Sequence, residues 1–390
     1  MTLDIDHLRA DTPACLQRIH FNNAGSSIPP TPVLDSQIKY LKLEAEIGGY
    51  EAADATQETL EAFYTAAAGA IGGKPQEIAF IENATRAWDM VFYAFDWQPG
   101  DKVLTSRADY NSNMVSYWQV ARKYGVEIVM VPDDESGALD VAALERAIDD
   151  RVRLISVSHI PTNSGLVNPA AAIGAVATKY NIPYLLDACQ SVGQLPIDVA
   201  EIGCTMLSTT GRKYIRGPRG TGFLWVREDW IERLEPPLLD NHAAPWVAVD
   251  RYEIRKDARR FENWESNFAG KIALGRALAY MMDLGIENVW ARIKLLSGTL
   301  RAELSNLPGV TVWDPGQEKC GLITFTKDGW EPKDIRDRLR ASNINVSAST
   351  TQLTRTEQRD HAVDATVRAS VHYYNTQAEI ERFVEAIRHL

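Results

Sequence analysis

A lone lysine, Lys213, sits in the stretch LSTTGRKYIRGPRGTGFLW, Leu207 to Trp225, where glycines, a proline and several arginines lie between two apolar runs. A lysine amine attacks carbonyl compounds when its ammonium form is disfavoured, and neighbouring Arg212, Arg216 and Arg219 push the pKa of Lys213 in that direction. Schiff-base chemistry is what such a residue could do. The run GPRGTG lets the backbone turn tightly against a bound group, and Thr210 and Arg212 offer donors to phosphate oxygens. Read without its surroundings, the same stretch is a basic surface loop.

Upstream, YLLDACQSVG places Asp187 at the end of an apolar run, with Gln190 three residues on. A carboxylate there needs a partner, because an unpaired buried charge is costly, and a protonated ring nitrogen would supply one; a helix N-cap is the plain alternative. FIENATRAW sets Asn83, Ala84 and Thr85 where a helix starts, which makes either an anion site or an ordinary cap. Tyr110, in TSRADYNSNMVSYW, could stack on a ring or simply pack, and Thr162 and Asn163, in SHIPTNSGLVNP, stand before Gly165 at another strand end, where turn chemistry would account for them. Loop lysine, aspartate, helix-start threonine and aromatic loop together define a cradle for pyridoxal phosphate.

These residues need elements to hold them. From about Gln76, short apolar strands alternate with helical stretches: EIAFIE, TRAWDMVFYAF, DKVLTS, SNMVSYWQVARKYG, EIVMVP, VRLISVSHI, PAAAIGAVATKYN, IPYLLDA and GTGFLWV. Strands separated by helix-length crossovers predict βαβ units and a mainly parallel sheet covered on both faces. Ligands of such sheets bind beyond the carboxyl ends of the strands, where the residues above fall. After about Asp257 the pattern changes to the long amphipathic stretches NFAGKIALGRALAYMMDLG and ENVWARIKLLSGTLRAEL. A smaller α+β set follows, GLITFT, EPKDIRDRLRAS, INVSAS, TVRASV and QAEIERFVEAIRHL.

Composition bounds the partners. The chain of 390 residues is long enough for two domains, with ordinary globular composition of 45% apolar and 24% charged residues. A formal charge of -11 disfavours nucleic acid and anionic membrane, both of which need a basic face. Cys15, Cys189, Cys204 and Cys320 lie far apart without metal or disulfide spacing, so no metal site is expected and a reducing compartment fits. The acidic N-terminus lacks an apolar signal core and no apolar run reaches membrane-spanning length, so the expected location is the cytoplasm.

In the order and spacing of these motifs the sequence resembles the class V pyridoxal-phosphate enzymes, a group including cysteine desulfurases, selenocysteine lyases, isopenicillin epimerase-like proteins and carbon-sulfur lyases. The match runs from FNNAGSSIPP to VRASVHYYNTQAEIERF. It implies an α/β protein of fold type I (aspartate aminotransferase-like), with a seven-stranded, mainly parallel sheet in a large domain over residues 16–257. Residues 1–15 and 258–390 would form a smaller α+β domain. By resemblance, Lys213 is the Schiff-base lysine within TGRKYIRGPRGTG, Asp187 pairs with the pyridine nitrogen and Gln190 meets the ring hydroxyl. Asn83, Thr85, the Ala84 backbone, Thr210 and Arg212 hold the phosphate, and Thr162 and Asn163 align with the family's asparagine region. Tyr110 stands where the family often has a stacking histidine. Arg368 matches the arginine that grips the substrate α-carboxylate, a task suited to a guanidinium fork, and Asn22, Asn23 and Gly25 belong to a segment that closes over substrate. A homodimer acting on a small amino acid is the family expectation.

Two departures narrow the chemistry. The loop INVSASTTQLTRTEQRDHAVDATVRAS lacks the cysteine that desulfurases of this family place before the carboxylate arginine, and Cys189 reads as a small buried residue. Glu265, in RRFENWESNFAG, replaces a family threonine that reaches phosphate across the dimer, with Ser266 or Asn267 as substitutes. The sequence therefore points first to a β-eliminating carbon-sulfur lyase acting on a cysteine conjugate or sulfoxide, similar to ergothioneine-type lyases. A class V aminotransferase, an amino-acid epimerase and a non-catalytic binding homologue are the alternatives.

Overall fold

A computed structural model of the chain describes residues 3–350 and 363–390. Its main sheet contains β1 (Ile78–Ile81), β2 (Lys102–Ser106), β3 (Glu127–Val131), β4 (Val152–Ser158), β5 (Tyr184–Asp187), β6 (Met206–Thr210) and β7 (Gly222–Val226), in spatial order β1-β7-β6-β5-β4-β2-β3. All neighbours are parallel except β7, which runs antiparallel to both β1 and β6. The mainly parallel sheet expected from the strand-helix rhythm, with the seven strands that the family resemblance implies, is therefore present. Its inner strands read as unbroken apolar runs because both faces are covered, and every residue of β5, β6 and β7 is buried.

Register aligns the polar residues that end these apolar runs. Ser158 pairs with Asp187, and Asp187 with Ser208, so three adjacent strands finish their carboxyl ends on polar side chains in one row. Facing them are the starts of two helices, α3 (Ala84–Phe92) and α4 (Asn111–Tyr124), preceded by α1 (Thr31–Ile47) and α2 (Gln57–Gly69), which the sequence reading left unassigned.

The second layer is a four-stranded antiparallel sheet, ordered β8 (Val310–Val312), β9 (Leu322–Lys327), β11 (Ala365–Ser370) and β10 (Ser347–Thr350). Helix Phe268–Leu284 packs on α1 and α2, as well as on helix Ile286–Ser305, which lies on the small sheet. The N-terminal segment crosses the other way. Ile19 and His20 pair in parallel with Ile344 and Asn345, and Asn22 bridges to Ser370.

The lysine loop between β6 and β7 is closed at its base, where Gly211 donates to the Thr221 carbonyl at 2.9 Å and Gly217 to the Gly211 carbonyl at 2.8 Å. Arg216 adopts a φ of 64° and is buried, donating to the Ile28 carbonyl, the Tyr373 hydroxyl and Thr12 Oγ1 while its guanidinium lies 4.3 Å from the centre of the Tyr374 ring. Under this loop Gly193 takes a φ of 87°, and a β-carbon there would stand 2.5 Å from the Tyr214 carbonyl carbon. Gly193→Ala is expected to cost about 1–3 kcal/mol through strain and displacement of the loop; chemical denaturation that gives wild-type stability would contradict this account of the turn.

Candidate active site

A cavity opens at the carboxyl ends of β4, β5 and β6. Asn83, Ala84, Thr85, Tyr110, Thr162, Asp187, Gln190, Thr210, Arg212 and Lys213 all line it, so residues spread over 130 positions of sequence meet in one place. Ser158, Ile160 and Cys189, which the sequence reading did not assign to the site, complete the lining.

Lys213 is 6% exposed, and its pKa is pulled down to about 8. Burial is the main cause; Arg212 and Arg368 lower it further, while Cys189 and Asp187 oppose them. Of the three arginines expected to act on the lysine, only Arg212 does so. Arg216 is turned into its own tyrosine cage and Arg219 is exposed. The Lys213 ammonium position lies 6.0 Å from the centre of the Tyr110 ring.

Asp187 is held by the Cys189 backbone N–H at 3.0 Å and by Asn113 Nδ2 at 3.1 Å, and it is paired with no cation among the described residues. Gln190 donates to the Ala24 carbonyl and to Thr162 Oγ1, leaving its buried Oε1 without a partner. Arg368, on β11, donates to the Thr162 carbonyl at 2.7 Å and to Thr162 Oγ1 at 3.1 Å, and its Nη2 lies 3.4 Å from Asn22 Oδ1. Its buried Nε has no acceptor among the described residues, and burial pushes its pKa down to about 10, which still leaves it cationic at neutral pH. Arg212 donates to the Gly25 carbonyl. Asn83 caps α3 by accepting from Arg86 N, so the first N–H groups of a nine-residue helix open at the cavity wall.

Three expected site residues, Asn23, Asn163 and Arg368, lie outside this lining, Arg368 reaching it through Thr162. Both ends of the Asn23 amide are engaged in the fold, Nδ2 with the His20 and Ser370 carbonyls and Oδ1 with the Tyr374 hydroxyl, so its neighbour Asn22 is the one that meets Arg368. Asn163 Oδ1 accepts from Ser349 Oγ at 2.8 Å, which ties it to β10. Glu265, Ser266 and Asn267 line a separate cavity with Arg86 and Glu262, and Asn267 caps helix Phe268–Leu284 through Gly270 N. Residues 351–362 of the segment expected to hold a desulfurase cysteine lie outside the described residues, and the sequence of the whole segment contains none.

Residues 19–383 match the family model described as aminotransferase class-V. The chain belongs to that family, and its cofactor is pyridoxal 5′-phosphate. It is 29% identical to a probable cysteine desulfurase of Methanothermobacter thermautotrophicus over 99% of this chain and 98% of that protein. It superposes on the apo cysteine desulfurase of Thermococcus onnurineus NA1 with a TM-score of 0.92 at 25% identity, covering 100% of this chain and 98% of the other. The cystine C-S lyase C-DES, solved with its product cysteine persulfide, shares the fold with a TM-score of 0.88 at 24% identity over 97% of this chain and 99% of that one.

The cavity fits the cofactor on its own chemistry. Among the described residues it offers a carboxylate without a cation for a ring nitrogen, an unpartnered buried amide oxygen, an amine of lowered pKa for the aldehyde, and a helix start with a guanidinium for phosphate. Among the described residues no group of side chains could hold a metal, and no helix is long and apolar enough to cross a membrane.

Keeping Lys213 in this dry site has a measurable cost. An amine at about 8 rather than its ordinary 10.5 corresponds to about 3 kcal/mol against the folded apo protein. That cost is full below pH 8 and vanishes as pH rises to 10.5. Lys213→Met is therefore expected to abolish turnover and yet raise the thermal stability of the apo protein at pH 7, with the gain shrinking above pH 8; a variant less stable than wild type at pH 7 would contradict the buried, depressed amine.

Proposed function

We propose that the protein is a β-eliminating carbon-sulfur lyase acting on a cysteine conjugate or cysteine sulfoxide, working as a homodimer. The observation that carries this reading is the state of the cysteines. Cys15, Cys204 and Cys320 are buried, and none of them lines the cavity. Cys189 does line it, but burial and the neighbouring Asp187 carboxylate push its thiol well above the ordinary range, so it is no thiolate at working pH. No cysteine follows Cys320 in the sequence. Relatives are named cysteine desulfurases, and a desulfurase needs an enzyme thiol to take substrate sulfur. Here the sulfur has no such acceptor and must depart with the group that carries it.

Each residue then has a task. Arg368 grips the α-carboxylate through a guanidinium already oriented by Thr162. Bound pyridoxal phosphate supplies the electron sink that makes a substrate α-proton acidic. Lys213 in its neutral form accepts that proton, Asp187 holds a proton at the ring nitrogen, and Tyr110 covers the ring face. As the Cα–H bond is lost, its electron pair closes a Cα–Cβ double bond, and the Cβ–S bond breaks with its electrons going to sulfur. Hydrolysis of the three-carbon remainder gives pyruvate and ammonia.

A substrate panel of free cysteine, cysteine S-conjugates and cysteine sulfoxides separates the readings. The expected outcome is pyruvate and ammonia in equal amounts from a conjugate or sulfoxide. Alanine with sulfide from free cysteine would mark a desulfurase, and keto acid without ammonia a transaminase; either would overturn the proposal. Arg368→Ala should raise KM about 10- to 100-fold, the equivalent of one lost charge-assisted contact, and unchanged kinetics would remove Arg368 from the site. Light scattering of the purified enzyme should give twice the chain mass, and a monomeric active enzyme would refute the dimer.

A further inference from the structure

Beneath the cavity lies a carboxylate that the reaction above does not use. Asp109, in the turn between β2 and α4, is 4% exposed and accepts five hydrogen bonds. Thr105 Oγ1 and Ser158 Oγ donate at 2.6 Å, the backbone N–H of Tyr110 at 2.6 Å, the Tyr117 hydroxyl at 2.9 Å and Asn113 Nδ2 at 3.1 Å. It has no cationic partner among the described residues, and the charge that bears on it is the negative one of Asp187. So many donors aimed at one buried group, from β2, β4 and α4, mark a pre-built acceptor.

Besides the Ser158 bond, which comes from the cavity wall, two of those five bonds lead to the cavity. Asn113 Nδ2 reaches Asp109 Oδ1 and Asp187 Oδ2, each at 3.1 Å, so a single amide nitrogen spends its two hydrogens on two carboxylates. Tyr110, whose ring stands over Lys213, is fixed at its backbone by the other Asp109 contact. We propose that Asp109 is the positioning residue of this site, orienting Asp187 through Asn113 and the covering ring through the Tyr110 backbone. The proposal rests on the reading that Asp187 faces the cofactor ring. Without Asp109 the Asn113 amide loses one of its two acceptors and is free to turn its oxygen toward Asp187, where it would repel.

The test is a double-mutant cycle of Asp109→Asn and Asn113→Ala in the holoenzyme, reading the pyridoxal-phosphate dissociation constant, the visible circular dichroism of the bound cofactor, and kcat and KM. Each single variant should weaken cofactor binding about ten-fold, alter the dichroic band, and lower kcat with little change in KM. The double variant should be no worse than the poorer single. Additive losses, or single variants with wild-type affinity and dichroism, would overturn the proposal. Should Asp109→Asn fail to fold, Asn113→Ala alone decides, since it cuts the side-chain link and leaves Asp109 in place. Asp187→Asn separates the two levels: if it is impaired while the other variants match wild type, only the positioning role fails, and if it too matches wild type, the reading of the site fails with it.

Discussion

The structure depends on one tension, a lysine amine held where its proton is unwelcome. Lys213 projects from a loop at the end of β6 into a site from which bulk water is largely excluded, with Arg212 and Arg368 adding positive potential. Desolvation alone would push the amine further toward neutrality, but Asp187 on the adjacent strand opposes it. The result is an amine that releases its proton far more readily than an ordinary lysine, able both to condense with an aldehyde and to carry a proton.

Holding that amine still is the work of the surrounding scaffold. Register places Ser158, Asp187 and Ser208 side by side, and antiparallel β7 returns the chain so that the lysine loop closes between Gly211 and Thr221. Arg216 clamps the loop to the N-terminal segment and to Tyr373 and Tyr374, two residues beyond β11, the strand that carries Arg368. The loop that carries Lys213 and the chain that leaves β11 after Arg368 are thereby tied by the same side chain, although β6 and β11 lie in different sheets.

Much of this was legible in the sequence because the strongest local signals coincide with the site. Unbroken apolar runs such as YLLD and GFLWV reveal strands buried on both faces, and Asp187, which ends the first of them, lines the cavity. The helices Thr31–Ile47 and Gln57–Gly69 were not read: Leu34, Ile38, Leu41 and Ile47 in the first are exposed, which blurs its apolar stripe. Arg216 was misread because proximity in sequence says nothing about which way a side chain turns when its φ is positive. Asn23 and Asn163 resemble cavity residues in type and position, but tertiary partners take both ends of the Asn23 amide and the amide oxygen of Asn163. Asp109 and Asn113 escaped notice because an acid before a helix looks like a cap, and only the fold shows that its donors come from three elements.

The most direct test of the central claim is to saturate the protein with pyridoxal phosphate, reduce it with borohydride and map the modified peptide by mass spectrometry. The account predicts one phosphopyridoxyl group per chain, on Lys213. A label on another lysine, such as the buried Lys271, or no label at all, would contradict it.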